Sequence, residues 1–205
     1  MEAAIAASYK RPSDVIRKCL LQASATTGQP YERVVEIIYK FTLPPPPIQQ
    51  CLLEMICFQH INRRLGTKLL VQLQQLQQLG QVTHQNLINA GFSTKKADAV
   101  LSTIAFFRTH RYDPRQLSTD EAIDFLAQIP GVGKWTAKMC LINAEGRSDI
   151  LLVEDLEFRK GLALVYKLEK TPTIPQATKL MEEFDRNTWT QRSVMAIQIS
   201  RLQYG

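Results

Sequence analysis

The sequence predicts an all-α chain of about ten short helices joined by short loops. Three observations carry that expectation. Apolar residues recur at helical spacing almost without interruption from Ile48 onward. The residues that interrupt the pattern are helix caps and stops, among them Thr83, Gly91, Ser93-Thr94 and Ser118-Thr119. Strand signals are nearly absent. Ile150-Leu151-Leu152-Val153 is the one β-looking run, and it serves equally well as an extended connection between helices.

Taken in order, Pro12-Ser13-Asp14 ahead of Val15, Ile16 and Leu20 reads as a capped helix start, which Thr26-Thr27-Gly28-Gln29-Pro30 breaks. A second helix covers Tyr31 to Phe41, with Val34, Val35, Ile38 and Phe41 on one face. Pro44-Pro45-Pro46-Pro47 is expected to be extended, as a stiff spacer or, as the alternative, a partner-binding segment. The chain therefore divides into an N-terminal part, residues 1–47, and a helical core, residues 48–205. In the core, Gln49 to Gln59 carries Leu52, Leu53, Ile56 and Cys57 at helical spacing. Asn62 to Leu79 is amphipathic and ends Leu/Gln-rich. Thr83 caps a short helix through Asn89, and Ser93-Thr94 caps another to about Arg108. Ser118-Thr119 caps Asp120 to Gln128, with Glu121 in its first turn. Thr171 to Pro175 is a loop, while Gln176 to Asp185 and Thr190 to Tyr204 are helical.

Composition narrows the function classes. A chain of 205 residues with 45% hydrophobic residues buries a sizeable core, and its net charge of +6 favours an acidic partner. Cys19, Cys51, Cys57 and Cys140 form no CxxC pair, and His60, His84 and His110 have no ligand spacing. No structural zinc or disulfide framework is expected. Met1 to Ala7 lacks the basic start of a signal peptide, and no apolar run reaches the roughly 18–20 residues of a membrane span. The expectation is an intracellular protein with reduced thiols and no membrane association.

The most informative stretch is Leu126-Ala127-Gln128-Ile129-Pro130-Gly131-Val132-Gly133-Lys134-Trp135-Thr136-Ala137, inside a hairpin of helices over residues 120–142. Pro130 stops the first helix. Gly131 and Gly133 permit dihedrals and close approaches that a Cβ hinders. The second helix, Lys134 to Ile142, then starts with unpaired N–H groups and a favourable dipole, an anion site to which Lys134 and Lys138 add charge. A DNA phosphate fits such a site without base readout. This is the helix–hairpin–helix signature. Past it, Ile150 to Val153 leads into Glu154-Asp155-Leu156. An aspartate there caps the helix that follows; its position about twenty residues beyond Gly133 gives it a second reading as a catalytic acid.

From about Gln50 to the C-terminus the sequence resembles the helix–hairpin–helix base-excision DNA glycosylases, and among them the 3-methyladenine DNA glycosylase II type. Leu152-Val153-Glu154-Asp155-Leu156 resembles the catalytic-aspartate segment of that type, with Asp155 in the aspartate's place. Gly133-Lys134-Trp135-Thr136-Ala137 is similar to its hairpin exit, and Gln59-His60-Ile61-Asn62 to the Gln-x-Ile-Ser segment that starts its helical core. Arg192-Ser193 resembles its C-terminal Arg-Ser, and Gly91-Phe92-Ser93-Thr94-Lys95-Lys96-Ala97 resembles a turn that contacts DNA backbone. The resemblance implies a two-lobed helical fold with the active site in the cleft between lobes, acting as a monomer on double-stranded DNA that contains damaged bases. The location implied is cytoplasmic, or the nucleoid in a bacterium.

The chemistry implied is hydrolysis of the N-glycosidic bond of alkylated purines. The base is flipped out, and a carboxylate stabilises the oxocarbenium-like sugar or activates water. Asp155 is the candidate; Asp149 and Glu154 are the competing acids. Trp135 is the leading base-pocket residue, with Met139 one turn later, although both are also suited to core packing. Bifunctional relatives place a Schiff-base lysine where this chain has Trp135, and the adjacent Lys134 points about 100° away around the helix. A monofunctional enzyme without lyase activity follows. The DNA-binding set is Gly131, Val132, Gly133, Lys134, Thr136, Lys138, Lys95 and Lys96, with Arg63, Arg64 and Lys68 as further basic residues on the same face.

No metal is required. The resemblance admits a sodium or potassium ion on the carbonyls of Ala127, Ile129 and Val132. No cysteine follows Cys140, which excludes a C-terminal iron–sulfur cluster. The chain departs from the family at Ile199-Ser200-Arg201, where a second pocket aromatic stands in relatives, and its short N-terminal part has no room for a β-containing domain. The alternatives are a glycosylase of this kind acting on oxidised or mismatched bases, and a non-catalytic DNA-binding protein that keeps the hairpin.

Overall fold

A computed structural model of the chain describes residues 46–190 together with Ser193, Ala196 and Ile197. The helices expected at Pro12 and over 31–41, Cys19, and most of the helix expected from Thr190 to Tyr204 lie outside the described residues. Those described contain eight α-helices, one 3₁₀ turn and no strand, so the all-α expectation holds. In chain order they are α1 (Ile48–Phe58), α2 (Arg63–Gln78), α3 (His84–Asn89), α4 (Thr94–Thr109), α5 (Thr119–Leu126), α6 (Lys134–Glu145), α7 (Leu156–Val165) and α8 (Ile174–Glu182), followed by the 3₁₀ turn Arg186–Thr188.

Side-chain oxygens start most of these helices, because the first N–H groups of a helix lack partners within it. Asn62 accepts the Leu65 N–H, Thr83 the Asn86 N–H and Ser93 the Lys96 N–H. Ser118 and Glu121 form a full capping box, and those hydrogen bonds hold the Glu121 carboxyl below its ordinary range. Among the boundaries that differ from the sequence expectation, three have a local cause. The α5 helix ends at Leu126, not Gln128, because the chain tightens into shorter-range bonds from Gln128 to Phe125 and from Ile129 to Leu126. The α6 helix runs on to Glu145, where Gly146 (φ 65°) adopts the left-handed conformation that ends it. The α8 helix starts at Ile174, inside the expected loop. A Thr173–Gln176 capping box starts it, and Pro175 stands in its first turn, where a proline's missing N–H is not needed.

The described residues divide into two compact units, one running to Arg147 and the other from Ser148. In the first, α1 is central: it packs against α2, α4 and α6, while α5 packs on α6 and α3 on α4. Its largely apolar sequence suits that place, and Cys51, Leu52, Leu53, Ile56 and Cys57 are all buried. Leu73, Leu87, Val100, Leu126, Ile129 and Leu141 complete this core. Cys51, Cys57 and Cys140 are free thiols, and burial pushes Cys57 up to about 12. In the second unit α7 packs on α8, around Ile150, Leu152, Phe158, Leu162, Ala177 and Met181. No helix among the described residues is long and apolar enough to cross a membrane.

Candidate nucleic-acid interface and carboxylate site

Between α5 and α6 the chain reverses through a β-turn, Ile129-Pro130-Gly131-Val132, closed by the Val132 N–H donating to the Ile129 carbonyl at 2.9 Å. Proline second and glycine third, with Gly131 at φ 89°, is the residue pattern of a type II turn. A second constraint excludes a side chain here. A Cβ on Gly131 would lie 2.4 Å from the Ala99 Cβ on α4. Ile129 and Val132 are buried and hold the turn from beneath, while Gly131 and Gly133 are exposed.

Gly133 then starts α6 with no side-chain cap and no acidic residue in the first turn. The positive end of this helix dipole therefore has no carboxylate from the helix's own first turn. Lys134 is exposed and pairs with Asp124 of α5 at 2.8 Å, a solvent-screened pair that adds little stability. Lys138 and Trp135 are half-buried, as is Met139, one helical turn beyond Trp135 on the same side of α6. Thr136 is buried.

The turn into α4 holds the other two candidate lysines, and they diverge. Lys95 is exposed. Lys96 is half-buried; its ammonium donates to the carbonyl of Ile56 and, at 3.2 Å, to that of Cys57. Burial lowers its pKa. It also lines a cavity of about 230 Å³ with Ile61, Leu65, Lys68, Leu69 and Ser93.

In the second unit, the run expected to be a strand or a connection is a connection. Its backbone is held by hydroxyls: the Ile150 N–H donates to Thr190 Oγ1 at 3.0 Å and the Leu152 N–H to Ser193 Oγ at 3.3 Å. Ser193 is the described member of the Arg-Ser pair; Arg192 and Ser200 lie outside the described residues. The connection delivers Asp155 to the N-cap of α7. There its Oδ1 accepts the N–H groups of Glu157 (2.7 Å) and Phe158 (3.2 Å). Asp155 is half-buried. Of the competing acids, Asp149 faces Arg186 at 3.8 Å, and Glu154 is exposed. Trp189 donates its indole N–H to the Met181 carbonyl at 3.2 Å, with the Arg186 guanidinium 5.5 Å from the ring centre.

One polar contact at the turn escaped the sequence reading. The Gln59 amide donates to the Gly131 carbonyl at 3.2 Å and to Thr136 Oγ1 at 3.1 Å. Gln59 carried a resemblance but no assigned role, since nothing local in the sequence connects it to residues more than seventy positions away. Among the described residues no group of three or more His, Cys, Asp or Glu side chains is placed to hold a metal.

Three solved structures share this fold. The 3-methyladenine DNA glycosylase of Schizosaccharomyces pombe, in complex with abasic DNA, is 20% identical with a TM-score of 0.64, covering 88% of this chain and 95% of that one. The DNA-3-methyladenine glycosidase of Bacillus halodurans is 21% identical with a TM-score of 0.63, covering 89% of each chain. The 3-methyladenine DNA glycosylase of Archaeoglobus fulgidus is 16% identical with a TM-score of 0.62, covering 96% of this chain and 77% of that one. In sequence, the chain is 37% identical over 87 residues to DNA-3-methyladenine glycosylase 1 of Schizosaccharomyces pombe; the match spans 40% of this chain and 38% of that relative's length. No family model matches.

Proposed function

We propose that this chain is a monofunctional DNA glycosylase of the 3-methyladenine type, releasing alkylated purines from double-stranded DNA in base excision repair inside the cell. The observation that carries the reading is Asp155. In a chain with this fold, it is a half-buried carboxylate whose orientation is set twice: by the hydroxyl-anchored connection behind it and by the two N–H groups at the start of α7. A carboxylate held in this way is suited to a developing oxocarbenium ion, because its dipolar surroundings need not reorganise when the charge appears.

The remaining parts have separate roles. The turn at Gly131 and the start of α6 bind backbone phosphate at Gly133 and Lys134, with buried Val132 and Thr136 fixing the turn beneath them and Lys138 and Lys95 adding long-range attraction. Trp135, with Met139 behind it, offers an aromatic face to an electron-poor flipped base. An alkylated purine carries positive charge and leaves readily, so the site needs no strong general acid. With Trp135 where a lyase has its lysine, the reaction stops at the abasic site.

The test is direct. Wild-type protein incubated with methylated DNA is expected to release 3-methyladenine, identified by chromatography, and the Asp155→Asn variant is expected to release none while still binding DNA. Release of oxidised or mismatched bases instead would move the substrate assignment. Binding without release by the wild type would make the chain a non-catalytic DNA-binding protein.

A further inference from the structure

Two turns of the proposed DNA grip, Gly91–Ser93 leading into α4 and Ile129–Gly133 ahead of α6, are distant in sequence from each other and from a third turn, Gln59–Asn62 after α1. Three contacts join them into a closed ring. The last carbonyls of a helix have no partners within it. At the end of α1 two of these, on Ile56 and Cys57, accept from the Lys96 ammonium, which arises in the first turn of α4. One turn further along α4, Ala99 packs on Gly131 so closely that no Cβ fits between them. From Gly131 the ring returns to α1, through the hydrogen bond that the Gln59 amide donates to the Gly131 carbonyl. The same amide donates to Thr136 Oγ1, so the turn and the first turn of α6 are held as one piece.

We propose that Lys96 and Gln59 are positioning residues for DNA binding, which lock the three turns in one register, and that Lys96 is not itself a phosphate contact. The proposal rests on the DNA-binding reading above. The Lys96 side chain supports it: the ammonium is turned toward the interior carbonyls, half-buried, and burial disfavours its charge, as it would not for a lysine held out to solvent. Lys95, its exposed neighbour, keeps the role of attracting phosphate.

Counterion release separates positioning from contact. Each phosphate contact contributes roughly 0.9 to the slope of log affinity against log salt concentration. Affinity of the full chain for a methylated duplex is measured by anisotropy from 50 to 300 mM salt. Lys96→Met is expected to lose about tenfold in affinity with the wild-type slope intact. A slope flattened by roughly 0.9, or unchanged affinity, overturns the proposal. Gln59→Ala provides the second arm should Lys96→Met fail to fold. It is expected to weaken binding several-fold at unchanged slope and melting temperature, with faster hydrogen exchange at Val132 to Trp135 and none at α3. Wild-type affinity in Gln59→Ala overturns the proposal as well. A wild type that binds no duplex at any salt defeats the DNA-binding reading itself, which keeps the two failures distinct.

Discussion

Asp155 accepts the backbone N–H of Glu157 at 2.7 Å through the same oxygen, Oδ1, that accepts from Phe158. Cap and candidate catalyst are thus one residue, and substitution can separate the roles. Asparagine caps as well as aspartate, whereas alanine loses about 1 kcal/mol. Asp155→Asn is therefore expected to keep wild-type stability in urea while losing base release. Asp155→Ala is expected to lose both. Full activity in Asp155→Asn would leave the carboxylate as a cap and nothing more.

Gly131 is constrained by its dihedral and by its neighbour. Alanine at φ 89°, with its Cβ 2.4 Å from that of Ala99, combines left-handed strain with overpacking. Gly131→Ala is expected to cost about 2–5 kcal/mol in chemical denaturation and to abolish duplex binding. Ala99→Gly relieves the clash alone, so the double variant should recover part of the loss. No recovery would mean that the Cβ–Cβ contact with Ala99 is not what excludes a side chain at Gly131.

Trp135 occupies the second position of α6, where a lyase would need an amine. Sodium borohydride added during reaction on methylated DNA is expected to trap no covalent complex. Trp135→Ala should lower single-turnover release by more than tenfold, with duplex affinity changed by less than a factor of three. Covalent trapping of the wild type would end the monofunctional assignment.

The end of α6 carries an ion-pair network with a pH signature. Tyr112 donates to Glu145 Oε1 at 2.5 Å, and Glu145 Oε2 accepts from Arg147 Nε at 2.7 Å, with the Arg147 and Glu145 side chains only 12% and 11% exposed. Arg147 also donates to the Pro114 and Leu117 carbonyls, tying the loop ahead of α5 to α6. Removing one partner strands a buried charge, so Arg147→Met is expected to cost about 3–5 kcal/mol. Burial, then the hydrogen bond to Glu145, raises the Tyr112 pKa above its ordinary 10.0. A raised phenol binds its proton more tightly in the folded state. Its contribution is complete below pH 10.0 and declines as pH rises beyond it. Alkaline titration of stability should show this decline in the wild type and a shallower one in Tyr112→Phe.

Much of the fold was legible because caps and turns are local. Ser118 with Glu121, Thr83, Asn62 and Ser93 act on groups three residues away, so a short window contains both partners. Pro130-Gly131 names its turn for the same reason. Where boundaries moved, the misread signals were also local: Gly146 was the real stop of α6, and Pro175 belonged to a helix start rather than a loop.

The candidate site was legible in part. Asp155 and the Gly131–Gly133 turn came from motif spacing. The sequence alone, then, determined an all-helical chain, the turn ahead of α6, an uncapped helix start with basic residues beside it, and an aspartate opening the next unit's first helix. Only tertiary structure decided that Lys95 and Lys96 part ways, one to solvent and one to the end of α1, and that Gln59 reaches Gly131 across 72 positions. Adjacent lysines are chemically alike in a sequence. What distinguishes them is which face of α4 meets another helix and whether unpaired carbonyls wait there, and that depends on the packing of the whole unit.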